Sequence, residues 1–394
     1  MSERIVLGFC NNVDYEILWN AEVLEDLVNQ FQIRAEEPST RVAIGSERDL
    51  VISILGFMQT AQGGERFVAG SEILERFAAR FDKKVTLGGT SVRAAIAMRR
   101  LGYRSALHLI TQNDHVRRLI PPDSPYVCSN ARDSVYPHLI VQFGAGDRVK
   151  AGAIDIRGRR ANRLIYHCNA DRIAMRIAPE FADLIGAAKV LLVSGFNAMQ
   201  SKPLLLQRLH EIAQLLERLP VDARVFLEDG GYYDPSFRKL IYGALGSRID
   251  LYSMNEDELQ SHVARKIRLD DVGQVLEALS ELHQVIPANA IVVHTRHWAL
   301  VHGNGAARYA DALRAGVTTA TTRFRFGDDL TRANYNDIGG RAPSAAGAKF
   351  ARKFNAASGE NALCVPVADV EQSNATTIGL GDAFVGGFLP ALLA

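Results

Sequence analysis

The chain has 394 residues, of which 47% are hydrophobic and 23% are charged, and its formal net charge is +1. This composition is typical of a folded protein of one large or two modest domains, and it excludes a disordered chain. The small net charge argues against a broad electrostatic surface for nucleic acid or an acidic membrane.

The sequence also gives no sign of export or membrane insertion. No stretch approaches the roughly 20 apolar residues that cross a bilayer, and an acid soon interrupts the apolar run in the N-terminal MSERIVLGFCNNVDYE. The four cysteines, Cys10, Cys128, Cys168 and Cys364, form no CxxC pair, which predicts reduced thiols rather than a zinc cluster or a disulfide framework. We therefore expect a cytoplasmic protein with neither nucleic acid nor membrane as a partner.

Local patterns in the first 170 residues indicate two kinds of structure. RIVLGF predicts a short buried strand, and VTLGGTSVRAAIAMRRLGYRSALHLI predicts a strand, a glycine turn, a helix and another strand. Residues 134–146 and 160–169 instead predict strands of a hairpin sheet, separated by a polar, glycine-rich segment. We interpret these strands as part of a smaller β-rich subdomain inserted into a larger one.

From about residue 175 onward, apolar strands alternate with helices. The strands are predicted at 188–196, 223–230, 248–255 and 289–295, and leucines in the helix between the first two recur at three- and four-residue spacing. This alternation predicts an α/β fold with a large, mostly parallel sheet covered by helices on both faces.

The stretch TTIGLGDAFVGGF places Asp382 beside glycines at the predicted start of the last helix. Glycines let main-chain N–H groups turn toward one point, and a helix N-terminus stabilises an anion such as a phosphoryl group. A carboxylate repels a bound phosphate, so its presence favours a general base that takes a proton from an attacking alcohol. The structural alternative is an aspartate that caps a buried helix.

Oxygen ligands follow two of the predicted strands. SMNEDEL places Asn255 and Glu258 in an Asn-x-x-Glu pair where a strand turns into a helix, and FLEDG ends the preceding strand with Glu228. Ligands of open α/β sheets gather at the carboxyl ends of strands, and Mg²⁺ takes few protein ligands. The pattern favours a magnesium site, with a capped acidic helix start as the alternative.

Two features of the N-terminal part suit a polar ligand. Asp14 follows the first strand in GFCNNVDYE, and a carboxylate can accept hydrogen bonds from neighbouring sugar hydroxyls. Gly88 and Gly89 precede a helix in LGGTSVRAA, which permits close approach of a ligand to the main chain. An ordinary glycine turn is the alternative for this pair.

These features occur in the order expected of ribokinase-like sugar kinases, and the chain resembles the ADP-dependent glucokinase and phosphofructokinase family. The resemblance is carried by PHLIVQF, ANRLIYHCNADR, VLLVSGFNAM, VFLEDG, YSMNEDEL, VVHTRHWAL, TTRFRFGD and TTIGLGDAFVGGF. It implies transfer of the β-phosphoryl group of ADP to a sugar hydroxyl, leaving AMP. It further implies a large ribokinase-like α/β domain at 1–12, 89–130 and 172–394, and a smaller β-rich lid at 13–88 and 131–171.

The resemblance implies roles for the matching residues in phosphoryl transfer. Asp382 is expected to be the general base, and Arg163 is expected to reach from the lid to the nucleotide phosphates. Glu228 and Glu258 are expected to bind Mg²⁺ or another divalent cation, and Asn255 to help organise the ion and its waters. The anion hole for the moving phosphoryl group is expected in the main chain of Gly379, Leu380 and Gly381.

The resemblance also implies residues for the two small-molecule partners, the nucleotide and the sugar. The nucleotide pocket is expected at His294, Thr295, Val365 and Pro366. Sugar hydroxyls are expected at Asn12, Asp14, Gly88 and Gly89. The structural alternatives are a surface ion pair for Arg163 and a core histidine for His294.

The chain departs from the family pattern near the sugar and the metal. Thr90 stands where the family usually has an asparagine, and Arg93 intrudes early in the following helix. The strand that ends at Glu228 lacks the histidine usually found two positions earlier and the small residues usually found afterwards. These departures concern the identity of the substrate more than phosphoryl transfer.

Glu65, in AQGGERFV, is the candidate for an additional glutamate with which glucokinases of this family accept a sugar hydroxyl, so a glucose-like hexose is preferred. A 6-phosphofructokinase would need basic side chains around the sugar phosphate, to which Lys83, Lys84 and Arg93 could contribute. An enzyme with both activities also stays open.

Two further alternatives concern the donor and the activity itself. An ATP-dependent ribokinase-type kinase would keep the Gly-x-Gly-Asp and Asn-x-x-Glu motifs, although HTR and RFRFGD favour ADP. A non-catalytic regulator that binds sugar or nucleotide is disfavoured by the intact Asp382. The sequence leaves the oligomeric state open.

Overall fold

The computed structural model describes residues 4–370 and 378–393. Its strands are β1 (Ile5–Leu7), β2 (Asn12–Ile17), β3 (Gly64–Phe67), β4 (Lys83–Gly88), β5 (Ala106–Leu109), β6 (Tyr126–Cys128), β7 (His138–Phe143), β8 (Arg148–Ala151), β9 (Ile154–Arg157), β10 (Asn162–His167), β11 (Val190–Val193), β12 (Arg224–Glu228), β13 (Leu251–Asn255), β14 (Ala290–His294), β15 (Trp298–Gly303) and β16 (Ala362–Pro366).

The helices are α1 (Ala21–Gln30), α2 (Glu47–Thr60), α3 (Ser71–Ala78), α4 (Thr90–Arg100), α5 (Asp114–Leu119), α6 (Ala170–Ala174), α7 (Phe181–Ile185), α8 (Lys202–Leu216), α9 (Phe237–Leu245), α10 (Glu256–His262), α11 (Val272–His283), α12 (Ala310–Phe326), α13 (Arg332–Gly339), α14 (Ala345–Ser358) and α15 (Leu380–Ala391). Among these described helices, none is both long and apolar enough to span a membrane.

The larger sheet runs in the order β16–β15–β14–β13–β12–β11–β1–β5–β6, counted over the described residues. Its strands are parallel except β15, which is antiparallel to both of its neighbours. Parallel strands that are buried on both faces read as nearly continuous apolar runs, as VLLV does in β11. The predicted α/β class with a large, mostly parallel sheet is confirmed.

Helices cover both faces of this sheet because alternate strand residues point to opposite sides. In β11, Leu191 and Val193 join a core with residues of α7, α8, α9, α11 and α14. Val190 and Leu192 join a second core with residues of α4, α5, α12 and α15. The last helix, α15, therefore lies in a packed layer beside α4 and α12.

A second, mixed sheet runs in the order β3–β10–β7–β2–β4. Its strands come from residues 12–88 and 138–167. Leu139 and Val141 of β7 and Leu164 and Tyr166 of β10 pack in a third core with α1, α2 and α3. By alternation, the opposite face of the same strands carries polar side chains, and we call it the polar face of the small sheet.

The chain crosses from the large sheet to the small one between β1 and β2. Asn11, in this crossing, is fully buried. Its Oδ1 accepts hydrogen bonds from the N–H groups of Ile110 (2.8 Å) and Thr111 (3.1 Å), and its Nδ2 donates to the Thr111 carbonyl at 2.8 Å. The start of β2 is thereby fixed beside the carboxyl edge of the large sheet.

The polar, glycine-rich segment between β7 and β10 differs from the sequence interpretation, which treated it only as a separator. Its residues form a hairpin of β8 and β9, with Gly152 at φ +56° in the turn. Val149, Ile154 and Ile156 are buried in the core of the small sheet. Alternation of apolar and charged residues in RVKA and IDIR was the signal for these strands.

Candidate active site

Three predicted residues stand where neighbouring parallel strands of the large sheet end. Glu228 is the last residue of β12, Asn255 of β13 and His294 of β14. Carboxyl ends of parallel strands lie at one edge of a sheet, where ligands of open α/β folds bind. The register of the sheet therefore brings these three side chains to the same edge.

Glu228 and His294 are both buried and interact directly. His294 Nε2 donates a hydrogen bond to Glu228 Oε1 at 3.0 Å, and the imidazole stacks on Phe384 of α15 with 4.7 Å between ring centroids. Burial by itself lowers the pKa of His294, but the Glu228 carboxylate and this hydrogen bond raise it above its ordinary value. His294 thus links the end of β12 to the last helix.

Asn255 and Glu258 form the capping box that the sequence offered as an alternative. Asn255 Oδ1 accepts from the N–H groups of Asp257 (2.8 Å) and Glu258 (3.0 Å), and Glu258 Oε2 accepts from the Asn255 N–H at 2.8 Å. Burial, together with the nearby Asp229 and Glu228 carboxylates, raises the pKa of Glu258 well above its ordinary value. Capping uses only one oxygen of the Glu258 carboxylate, so the other oxygen could still bind a metal ion. The metal role of Glu258 therefore stays a prediction.

The acidic residues at this edge suit a divalent cation in one respect. Glu228 Oε2 is buried without a hydrogen-bond partner among the described residues, and a buried carboxylate oxygen without a partner is costly. A cation beside Glu228 and Glu258 would neutralise both acids. Within the described residues, no three His, Cys, Asp or Glu side chains are placed to share one ion, so water would complete the coordination of Mg²⁺.

The start of α15 carries the predicted anion hole and base. Gly379 precedes the helix in the left-handed region (φ +62°) and makes no side-chain cap. Asp382 lies in the first turn, three residues later, so it is not the N-cap that the sequence offered as an alternative. The first N–H groups of an α-helix lack intrahelical partners, and Leu380 and Gly381 supply two of them. Thr376 and Thr377 of the motif lie outside the described residues.

Gly381 connects the start of α15 to the strand ends. A Cβ on Gly381 would lie 3.1 Å from His294 Cε1 and 3.9 Å from Glu228 Oε1. The Asp382 side chain keeps 22% of its surface accessible. The helix start therefore faces the same edge as the acidic residues, with a carboxylate that a small molecule can reach.

The other residues predicted for the nucleotide lie further along the large sheet. The Thr295 hydroxyl is used locally, because it accepts from the N–H groups of His297 (3.2 Å) and Trp298 (3.1 Å) in the turn between β14 and β15. Val365 packs in the core that contains α15, and Pro366 ends β16. The nucleotide roles of Thr295, Val365 and Pro366 remain predictions.

The residues predicted for the sugar meet at the start of the polar face. Asn12 Nδ2 donates to Asp14 Oδ1 at 2.5 Å, and both side chains are buried. A Cβ on Gly88 would collide with Asn12 Nδ2 and lie 2.6 Å from Asp14 Oδ2, so a larger residue there would displace these two side chains. Gly89, at φ +93°, approaches the main chain of the β1–β2 crossing. Burial raises the pKa of Asp14 to about 6, although the Arg93 guanidinium opposes the shift.

Glu65 lies on the same polar face, on β3. His167 Nε2 of the adjacent strand β10 lies 2.9 Å from Glu65 Oε1, and the His167 ring stacks on His138 at 4.7 Å between centroids. Desolvation in the cleft opposes ionisation of Glu65, but His167, Arg172 and Arg163 together hold its pKa below the ordinary value. Arg163 is partly buried and lies within electrostatic reach of Asp382 and Glu65.

The sequence interpretation missed two side chains of this region. His167 had a signal, because Arg163 and His167 are four residues apart on one strand and so share a face. Arg172 had none: its guanidinium donates to Asn12 Oδ1 at 3.4 Å and to Asn197 Oδ1 at 2.6 Å, joining three distant segments. Arg93 was named as a departure and as one of the basic side chains that could bind a sugar phosphate, but its ion pairs were not foreseen. The site therefore contains more positive charge than the motifs indicated.

The arrangement combines three chemical elements in one cleft. A reachable carboxylate, Asp382, stands beside helix N–H groups that can bind an anion. Two acids at the strand ends can hold a cation, and the polar face opposite offers carboxylates and amides that can bind hydroxyl groups. These elements suit transfer of a phosphoryl group to an alcohol.

Comparison with known proteins identifies relatives of the whole chain. The sequence model of the ADP-specific phosphofructokinase/glucokinase conserved region matches residues 3–388. A search of curated proteins found no match.

Solved structures match over nearly the full length. A phosphofructokinase from Pyrococcus horikoshii OT3 with AMP is 18% identical with a TM-score of 0.77, covering 99% of this chain and 98% of its own. An ADP-dependent kinase in complex with fructose-6-phosphate and ADPβS is 14% identical with a TM-score of 0.76, covering 100% and 94%. The last common ancestor of ADP-dependent phosphofructokinases from Methanosarcinales is also 14% identical, with a TM-score of 0.74 and the same coverage. These matches show that the chain shares the fold of these ADP-dependent kinases.

Proposed function

The chain belongs to the ADP-specific phosphofructokinase/glucokinase family, and we propose that it transfers the β-phosphoryl group of ADP to a hydroxyl of a hexose, releasing AMP. The observation that supports this most directly is the placement of Asp382. Its carboxylate stands in the first turn of α15, beside the glycine main chain and facing both the strand-end acids and the polar face.

In the proposed reaction, Asp382 accepts the proton of the sugar hydroxyl as the oxygen attacks the β-phosphorus. The bond between that phosphorus and the oxygen bridging to the α-phosphate breaks, and this oxygen leaves with AMP. Charge that builds on the transferred group is stabilised by the N–H groups of Leu380 and Gly381 and by Arg163. General-base catalysis accelerates such reactions roughly 10²- to 10⁴-fold, so loss of the Asp382 carboxylate is expected to lower kcat by about that factor.

Glu228 and Glu258 are the residues that would hold the divalent cation, which when bound would neutralise phosphate charge. His294 fixes the orientation of Glu228 through its hydrogen bond. In this proposal His294 orients the metal-binding carboxylate, whereas the sequence predicted direct contact with the nucleotide.

We favour a neutral hexose such as glucose as the acceptor. Glu65 and Asp14 present carboxylates on the polar face, and carboxylates accept hydrogen bonds from hydroxyl groups. The second candidate acceptor is fructose 6-phosphate, because the buried guanidinium of Arg172 lies beside Asn12 and could bind a phosphate.

The decisive experiment offers glucose or fructose 6-phosphate to the purified protein with Mg²⁺-ADP or Mg²⁺-ATP and separates the nucleotide products. We expect AMP from ADP, with glucose as the better acceptor. ADP formed only from ATP would contradict the donor, and a clear preference for fructose 6-phosphate would contradict the acceptor. Binding of sugar without any product would favour a regulator.

Replacing Glu65 by Gln tests the acceptor. We expect the KM for glucose to rise about 10- to 100-fold, because a hydrogen bond to a charged group contributes about 1.5–3 kcal/mol, with a smaller change in kcat. Steady-state kinetics with glucose and ADP measure both. Glu36→Gln, which changes an exposed acid of the same small domain, should leave both values unaltered. An unaffected KM in Glu65→Gln would exclude this carboxylate from sugar binding.

The raised pKa of Asp14 predicts a pH dependence of acceptor binding. With a pKa of about 6, this carboxyl is ionised above that pH and neutral below it, so the Kd for the hexose should rise as the pH falls through 6. Arg93 and Arg172 counteract burial in setting this value, and Glu16 adds to it. Isothermal titration of hexose between pH 5 and 8 measures this dependence, because that range extends about one pH unit or more on either side of the pKa. The Asp14→Asn variant should lose it, and an equally steep dependence in that variant would assign the titration to another group.

A further inference from the structure

Arg93 forms ion pairs with three acids across the cleft. It lies in the first turn of α4, and only 5% of its side chain is exposed. Its Nη2 donates to Asp14 Oδ2 at 2.8 Å and lies 3.6 Å from Glu16 Oε1, while its Nε lies 3.9 Å from Asp382 Oδ2. One guanidinium therefore connects the polar face of the small sheet to the first turn of α15.

The guanidinium is held in place by packing as well as by charge. A Cβ on Gly379 would lie 2.8 Å from Arg93 Cδ and 3.1 Å from Nη1, so the side chain passes directly against the main chain at the start of α15. Gly379 also adopts a left-handed φ of +62°, which disfavours other residues. The contact depends on this glycine.

Two of the three acids that pair with Arg93 are also held by other side chains. Asn12 Nδ2 donates to Asp14 Oδ1 at 2.5 Å, and the Thr86 hydroxyl donates to Glu16 Oε1 at 2.6 Å. Burial opposes the charge of Arg93, but Asp14 and Asp382 raise its pKa further above its ordinary value. The network thus keeps a permanent positive charge between a sugar-binding acid and the base.

We propose that Arg93 is a positioning residue that holds the Asp382 carboxylate in a fixed relation to Asp14, and so aligns the base with the acceptor hydroxyl. The inference rests on the proposed transfer reaction. The fork of a guanidinium suits this task because its N–H groups point in fixed directions and can bind two carboxylates at once. A lysine has the charge but not that geometry.

A purely structural role for Arg93 is the alternative, in which it only neutralises buried acids. That role predicts a lower melting temperature for Arg93→Gln with an unchanged kcat per folded molecule. Positioning predicts instead that kcat falls about 10- to 100-fold, since small misplacements of reacting groups carry costs of this size. Arg93→Lys should recover melting temperature and the KM for hexose, but not kcat.

A double variant tests whether Arg93 acts through the base. In the Asp382→Asn background, Arg93→Gln should reduce kcat little further, because the group it positions is already disabled. Losses that multiply would overturn the proposal. Arg99→Gln is the matched control, since Arg99 lies on the same helix, has a side chain that is 46% exposed, and pairs with Asp123.

A crystal structure of Arg93→Lys gives a readout that does not depend on turnover. We expect the Asp382 carboxylate to turn away from Asp14, whereas an unmoved carboxylate would overturn the proposal even if no acceptor sugar had been found. Failure of the wild-type protein to form AMP would instead refute the proposed function. The two failures are therefore distinguishable.

Discussion

Asp382→Asn should reduce kcat by about 10²- to 10⁴-fold, the range that a positioned general base contributes. Asparagine has nearly the same shape but cannot accept the proton of the attacking hydroxyl. Because the side chain lies beside the helix N–H groups rather than capping them, α15 should still form, and the KM values for ADP and hexose should change only a few-fold. The measurement is AMP formation at saturating substrates, with circular dichroism to confirm folding.

The control for this variant is Asp311→Asn. Asp311 occupies the first turn of α12, as Asp382 does in α15, but its side chain is 87% exposed on the surface. It should show wild-type kcat, which would separate the chemistry of Asp382 from any general effect of removing a helix-start acid. Full turnover by Asp382→Asn would show that another group takes the proton.

Glu258→Gln should raise the Mg²⁺ concentration for half-maximal activity by at least about 10- to 100-fold. Substituting residues that only hydrogen-bond to metal ligands already reduces metal affinity or activity by this factor. Glutamine preserves the capping box with Asn255, because it can also accept a hydrogen bond at that position. The substitution therefore removes charge beside Glu228 and leaves the helix start intact. Activity measured across a Mg²⁺ titration gives the result.

Asp257→Asn is the matched control for the metal site, since Asp257 lies in the same first turn of α10 but is exposed. Its Mg²⁺ dependence should equal that of the wild type. If Glu258→Gln also kept the wild-type dependence, Glu258 would be a helix cap and no more. The experiment thus decides between the two interpretations that the Asn-x-x-Glu pair allows.

The cleft illustrates how two sheets share one site. The large sheet supplies the end of β12 with Glu228 and the end of β14 with His294. The start of α15, which packs against this sheet, brings Gly381 next to both. The small sheet carries Asp14, which is predicted to bind sugar hydroxyls. Arg93, on α4 beside the large sheet, joins the two through ion pairs with Asp14 and Asp382. The predicted sugar-binding acid and the candidate base are therefore coupled by charge as well as by proximity.

The sequence by itself determined the α/β class and the position of the candidate base. Both depend on patterns between near neighbours: apolar runs such as VLLV in β11 indicate a buried parallel strand, and Gly379 three residues before Asp382 indicates a helix start that can bind an anion. The same local logic missed the short alternation in β8 and β9, which was hidden among polar and glycine residues.

Tertiary structure alone decided which charges meet. Nothing near Arg93 in the sequence indicates that it would pair with Asp14 and Asp382, and the contact of Glu65 with His167 depends on the parallel register of β3 and β10. Ion pairs of this kind form between segments that only folding brings together. Their strength depends on burial, which a linear pattern does not encode.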